Sequence, residues 1–212
     1  MSGTLAGCLM ASALMMSAGA ANVQTTVISK AGVQAAAQTA AQVRTAVKIN
    51  PQSANIYVEG IPAAFPSEDG KTVYTALSYN GSTYMPLRTV GRWMGKNISW
   101  DGASRTVFLS GTTEKSYPCA DDDAYHEEGV KYVGATGTAT LDKGVKVLVD
   151  GKQQTFKNQK GQTIYPLFYR NSIYLPLRNI GELTGMDVTW YSAKAENDVN
   201  AIFLRMPLSD SK

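Results

Sequence analysis

The sequence predicts an α+β fold: two tandem small antiparallel-sheet units, each with one short helix. Three observations carry that expectation. The 212-residue chain states one pattern twice, about 90 residues apart. Within each copy, short runs rich in β-branched and aromatic residues alternate with Gly-containing turns, as in antiparallel hairpins. Each copy also holds one short helical stretch, "RTVGRWMG" or "RNIGELTG", between a proline and a glycine.

The correspondence runs residue by residue. Val58 matches Val149, Gly60 matches Gly151, Phe65 matches Phe156 and Tyr74 matches Tyr165. Tyr84-Met85-Pro86-Leu87-Arg88 matches Tyr174-Leu175-Pro176-Leu177-Arg178, and Gly91, Gly95 and Trp100 match Gly181, Gly185 and Trp190. A unit of roughly 65 residues is small but can fold alone, with marginal stability. Packing between the copies is therefore expected to matter.

Each copy has the same internal order. A first strand (55–59; 146–150) turns at Glu59-Gly60 or Asp150-Gly151 into a second that ends at Phe65 or Phe156. Glycine there supplies the positive φ of a two-residue hairpin. A third strand (73–79; 164–170) turns at Asn80-Gly81 or Asn171-Ser172 into a fourth. That strand should end at Pro86 or Pro176, because proline brings no N–H to the ladder. The helix follows, with Thr89 or Asn179 expected to cap its start and Gly95 or Gly185 its end. Strands at 97–100 and 106–110, and at 187–190 and 201–205, close the copies.

The organisation expected is a signal peptide (1–20), an Ala/Gln-rich N-terminal segment (21–48), repeat 1 (49–111), an acidic linker or insert (112–142), repeat 2 (143–206) and a tail (207–212). No charge precedes Lys30, residues 5–16 are apolar, and Ala18-Gly19-Ala20 is a small-x-small cleavage site. The apolar run is too short to cross a bilayer, so no membrane span is expected in the mature chain. Leu5-Ala6-Gly7-Cys8 has the form of a lipobox, but the apolar run continues past Cys8, which disfavours lipidation. Cleavage leaves Cys119 alone, without an internal disulfide. That fits a secreted or cell-surface protein of a Gram-positive bacterium. Residues 22–29 are β-prone, and Val23, Thr25 and Val27 are the candidates for self-association by strand addition to an open sheet edge. The linker carries Glu114, Asp121, Asp122, Asp123, Glu127 and Glu128 and reads as a solvated loop.

The V-x-G hairpin followed by a Y-x-P-L-R-x-x-G…G…W block, in order and twice, resembles the copper amine oxidase N-terminal-like domain, also called the stalk domain. The resemblance covers both repeats. It implies a small α+β unit, often in tandem on exported or wall-associated proteins, and no copper site, because in the oxidase this domain stands apart from the catalytic barrel. The residues agree. His126 is the sole histidine, where an amine oxidase copper site needs three imidazoles. No Asn-Tyr-Asp or Asn-Tyr-Glu string supplies a tyrosine-derived cofactor. No enzyme activity and no cofactor are expected.

Other chemistries find little support. A net charge of +3 with scattered basic residues leaves no footprint for nucleic acid. Cys119, Asp121, Asp122, Asp123, His126 and Glu127 are metal-ligand types, but their spacing fits neither zinc nor an EF-hand, so no metal is expected. Four recurring residues are the binding candidates: Tyr84, Arg88, Tyr174 and Arg178. The arginines are either anion or carbohydrate contacts or, as favoured, ties at the strand-to-helix corner. Glu59 and Asp150 are their expected partners, since a helix start disfavours an uncompensated cation. The tyrosines are open between a sugar-stacking surface and the core. Trp100 and Trp190 share strands with Ile98 and Val188 and are expected in the core. The function expected is a non-enzymatic binding or spacer protein at the cell surface or wall. Its partner is a cell-wall polymer or other copies of itself. The alternative is a subunit of an extracellular filament or matrix.

Overall fold

The computed structural model describes residues 43–195 and 198–207. The expected signal segment, Cys8, and Val23, Thr25 and Val27 lie outside the described residues. In the first copy the strands are β1 (Arg44–Pro51), β2 (Asn55–Val58), β3 (Ile61–Pro62), β4 (Thr72–Tyr74), β5 (Leu77–Tyr79), β6 (Ser82–Pro86), β7 (Asn97–Asp101) and β8 (Thr106–Ser110), with helix α1 (Leu87–Met94) between β6 and β7. Next come β9 (Lys131–Val133) and β10 (Gly137–Asp142). The second copy continues with β11 (Lys146–Val149), β12 (Lys152–Gln153), β13 (Phe156–Lys157), β14 (Thr163–Ile164), β15 (Leu167–Tyr169), β16 (Ser172–Pro176), α2 (Leu177–Thr184), β17 (Asp187–Tyr191) and β18 (Ala201–Arg205).

The hairpins form where left-handed backbone is tolerated. Glu59 and Gly60 have φ of 51° and 83°, and Asp150 and Gly151 have 46° and 79°, the two-residue geometry that follows strand twist. Asn80 and Gly81 do the same at 47° and 72°. In the second copy the turn falls one residue earlier than expected, on Arg170 (φ 45°) and Asn171 (φ 62°), closed by the pair Tyr169 and Ser172. The cause is a deletion. The first copy has Thr75-Ala76 between Tyr74 and Leu77, whereas the second has only Pro166 between Tyr165 and Leu167.

Strand pairing departs from two self-contained antiparallel units. A closed barrel runs β1-β10-β15-β16-β6-β5, with β1, β5 and β6 from the first copy, β15 and β16 from the second, and β10 from the segment that leads into it. Its two seams are symmetric. Met85 faces its own counterpart Leu175 where β6 meets β16, flanked by Tyr84 opposite Pro176 and Pro86 opposite Tyr174. Where β1 meets β10, Lys48 faces Thr138. Two four-stranded sheets, β12-β11-β8-β7 and β17-β18-β2-β3, are built by exchange. The closing strand β8 lies parallel to β11, and β18 lies parallel to β2. Each copy thus completes the other's sheet. The repeated apolar alternation, Ile56 and Val58 against Val147 and Val149, offers a closing strand an equivalent edge in either copy.

Part of the expected linker is framework. β10 is a barrel strand, and β9 lies parallel to β4. Between them and β8 the chain straps the first copy: Ala64 N–H donates to Pro118 O and Ala120 N–H to Pro62 O, both at 2.8 Å. Tyr117 packs on Trp93 of α1, with ring centroids 6.4 Å apart.

Each helix starts directly after its proline. Pro86 and Pro176 occupy the N-cap position and no side chain caps either helix. Thr89 and Asn179 are instead buried in the first turn, so their expected capping role is corrected. Gly95 and Gly185 end the helices in the left-handed conformation, with φ of 62° and 72°. Gly91 and Gly181 recur for a packing reason, because a Cβ there would collide with Ile98 or Val188.

Period-two alternation in β6 and β16 separates two apolar clusters. Tyr84 and Tyr174 point into the barrel with Val47, Ile49, Leu77 and Leu167. Met85 and Leu175 point outward, into the cluster shared by helix residues Val90 and Ile180 and sheet residues Val107, Leu109, Ile202 and Leu204. Burying each of the larger side chains stabilises the fold by about 1.5–3 kcal/mol. The tryptophans differ from expectation. Trp93 is fully buried, whereas Trp100 and Trp190 are 43% and 51% exposed. Their strands carry Ile98 and Val188 to the helix glycines, and each Trp lies two residues beyond that contact.

Candidate functional site

The site grows from a difference between the copies. In the first, the turn before β4 is Pro66-Ser67-Glu68-Asp69-Gly70-Lys71, and in the second it is Lys157-Asn158-Gln159-Lys160-Gly161-Gln162. Each turn braces itself. Asp69 Oδ1 accepts from the Ser67 hydroxyl at 2.6 Å and from Lys71 N–H at 3.1 Å. These bonds, the Ser67 hydroxyl first, hold the Asp69 carboxyl below the usual range. Asn158 Oδ1 accepts from Lys160 N–H and Gln162 N–H, both at 3.0 Å.

The turns meet their helices differently. Glu68 forms an ion pair with Arg88 at the start of α1, and Arg92 donates to Ser67 O at 3.1 Å. In the second copy Gln159 stands for Glu68 and Glu182 for Arg92. Glu182 accepts instead from Asn179 Nδ2 within its own helix, at 3.0 Å. Between this turn, the start of α2 and the Asn80–Thr83 hairpin lies a groove of about 600 Å³. Lys157, Lys160 and Arg178 line it, no carboxylate does, and Trp190 and Asn179 form part of its wall. Trp190 is fixed by its Nε1, which donates to Ser192 Oγ at 2.9 Å. Asn179 is 4% exposed and its Oδ1 has no hydrogen-bond partner. On the equivalent strand, Trp100 packs edge-on against Phe168 with centroids 5.9 Å apart. Phe168 corresponds to Ser78, which offers Trp190 no such ring.

The structure brings together two residues that the sequence singles out, Arg178 and Trp190. It places Tyr84 and Tyr174 elsewhere, 1% and 0% exposed inside the barrel. Burial, then the neighbouring Tyr79, pushes the Tyr84 phenol up to about 12. Burial, then Tyr74 and Tyr169, pushes Tyr174 further up. The expected partners of the arginines are also corrected: Asp150 pairs with Lys96 at 2.8 Å, and Glu59 accepts Met206 N–H. Sequence reasoning missed Lys157 and Lys160, although aligning the two turns exposes the charge reversal. The acidic stretch has local structural roles. Asp122 Oδ1 accepts from Ala124 N–H at 3.0 Å, and the His126 ring lies 3.0 Å from Ala120 O. Among the described residues no three His, Cys, Asp or Glu side chains are grouped to hold a metal ion.

Residues 20–109 match the family described as copper amine oxidase N-terminal domain. In the oxidase this stalk-like domain is non-catalytic. The match spans the first copy to Leu109 in β8, and the second copy lies outside it. No curated protein and no solved structure matches the chain. No described helix is long and apolar enough to cross a membrane.

Proposed function

We propose that this chain is an exported, non-enzymatic binding and spacer module of the cell surface or wall, built from two stalk-like copies. The observation behind this reading is where the recurring residues go. Tyr84, Tyr174, Met85 and Leu175 fill the core, Gly91 and Gly181 permit helix contact, and Glu59-Gly60 and Asp150-Gly151 make turns. Most of what repeats maintains the scaffold, and the open groove joins the repeated Arg178 and Trp190 to a turn, Lys157–Gln162, where the copies differ. Fractionation of a Gram-positive host expressing the C-terminally tagged chain tests it. The chain should appear in the wall or medium fraction with the mass left by cleavage after Ala20. Full-length protein confined to the cytoplasm would sink the reading.

A second reading, a subunit of an extracellular filament, draws on the open edges of the exchanged sheets. β12 and β17 are edge strands, with Lys152, Gln153, Trp190 and Tyr191 exposed. Strand addition by residues 22–29 would use such an edge. Electron microscopy with and without residues 21–42 tests it, and fibres should vanish on truncation. The cut belongs before Arg44, because β1 is part of the barrel.

A further inference from the structure

The geometry points to a ligand class: we infer that the groove between the Lys157–Gln162 turn and the start of α2 binds an acidic sugar unit of a polysaccharide. The inference rests on the reading of the chain as a binding module, but the two can fail separately. A negative titration would leave the spacer role and the fractionation test untouched.

Charge comes first. Lys157, Lys160 and Arg178 converge on one groove without a lining carboxylate. In a partly desolvated cleft such a set concentrates anions. Arg178 adds a planar fork that can hold a carboxylate or phosphate through two hydrogen bonds. The uncapped start of α2 adds N–H groups and the positive end of its dipole. α1 has the same uncapped start, so that feature does not distinguish the copies. The contrast lies in Glu68, which neutralises Arg88 at the first copy's corner, against Gln159 at the second.

Two features then favour a sugar over a bare ion. Trp190 offers a half-exposed indole held by Ser192, a flat apolar surface suited to the C–H face of a pyranose. Asn179, whose Nδ2 donates to Glu182 at 3.0 Å, adds a polar amide to the same wall. Polar donors from Asn80 to Thr83 face the same space across the groove. Its volume, about 600 Å³, lies within the range of small-ligand sites.

Calorimetric titration of the whole chain tests this with four probes: a polygalacturonate oligomer, a phosphorylated mannan oligomer, neutral dextran and polyglutamate of matched length. Binding of either acidic sugar, at least tenfold tighter than dextran and polyglutamate, supports the inference. The better of the two identifies carboxylate or phosphate as the recognised group. Equal binding of polyglutamate, equal binding of dextran, or no binding of either acidic sugar overturns it. Gln159→Glu, which recreates the Glu68 arrangement beside Arg178, should weaken binding at least tenfold, and so should Trp190→Ala. Glu68→Gln should not weaken it. Thermal unfolding verifies that the exposed substitutions leave the fold intact. Unchanged affinity in both Gln159→Glu and Trp190→Ala overturns the assignment to this groove.

Discussion

The two corners where Pro-Leu-Arg enters a helix share a backbone and differ in charge. At the first, Glu68 and Arg92 tie turn and helix together. At the second, Gln159 and Glu182 leave Arg178 facing Lys157 and Lys160 across an open groove. Glycines, prolines and interior aromatics are kept because backbone geometry and packing require them. Exposed charges are freer to change, because a surface ion pair contributes only about 0–1 kcal/mol. The difference teaches that a pattern repeated in sequence can keep its buried framework and change its surface chemistry at little cost in stability.

The largest effect separating the copies should come from two equivalent positions, the half-buried Gln52 and the buried Asp142. Asp142 is 1% exposed, accepts from Gly144 N–H at 3.0 Å and Arg44 Nε at 3.1 Å, and forms an ion pair with Arg105. Gln52 donates to Thr83 Oγ1 and accepts from Ala54 N–H. Asp142→Ala leaves a shielded guanidinium unpaired and should cost about 3 kcal/mol. Gln52→Ala removes neutral hydrogen bonds and should cost about 1 kcal/mol. Urea titration measures both, and equal losses would show that the ion pair adds nothing.

Alkaline unfolding ranks next. Tyr84 and Tyr174 hold their protons more tightly when folded, so the unfolded chain ionises first as pH rises past about 10. Their contribution is fully present below that point. It is lost through pH 12 for Tyr84 and at higher pH for Tyr174. The slope for each phenol approaches about 1.4 kcal/mol per pH unit. Tyr84→Phe and Tyr174→Phe should each flatten the fall in stability measured by urea titration between pH 9 and 12. An unchanged slope in both variants would show that neither phenol is the source.

The smallest effect concerns the hairpins. Arg170 and Asn171 adopt the conformation that Asn80 and Gly81 adopt more readily. Converting them to Asn and Gly should gain about 1 kcal/mol from the turn. It should also lose about 0.5 kcal/mol, because the Arg170 guanidinium lies 5.4 Å from the Tyr169 ring centre. The net gain of about 0.5 kcal/mol should raise the thermal midpoint by about 1–2 degrees. A fall would mean that the cation–aromatic contact outweighs the turn.

Local features were legible in the sequence. The hairpins at Gly60, Gly81 and Gly151, the strand ends at Pro86 and Pro176, and the helix stops at Gly95 and Gly185 depend on neighbouring residues alone. The exchange of β8 and β18 was not legible, because each repeat presents an equivalent edge and alternation does not say which is chosen. β10 was obscured by its polar Thr138, Thr140 and Asp142. Trp100 and Trp190 were misplaced because strand alternation gives a face but not how far the covering helix extends. The groove was half legible. Arg178 and Trp190 stood out by repetition, while Lys157 and Lys160 matter through failing to repeat.

Strand exchange has a further consequence during synthesis. β2 is made early and its parallel partner β18 is the last described strand. At about 5–20 residues per second, the interval from Asn55 to Arg205 lasts on the order of 10–30 s. Through that interval β2 lacks the strand that completes one side of its ladder.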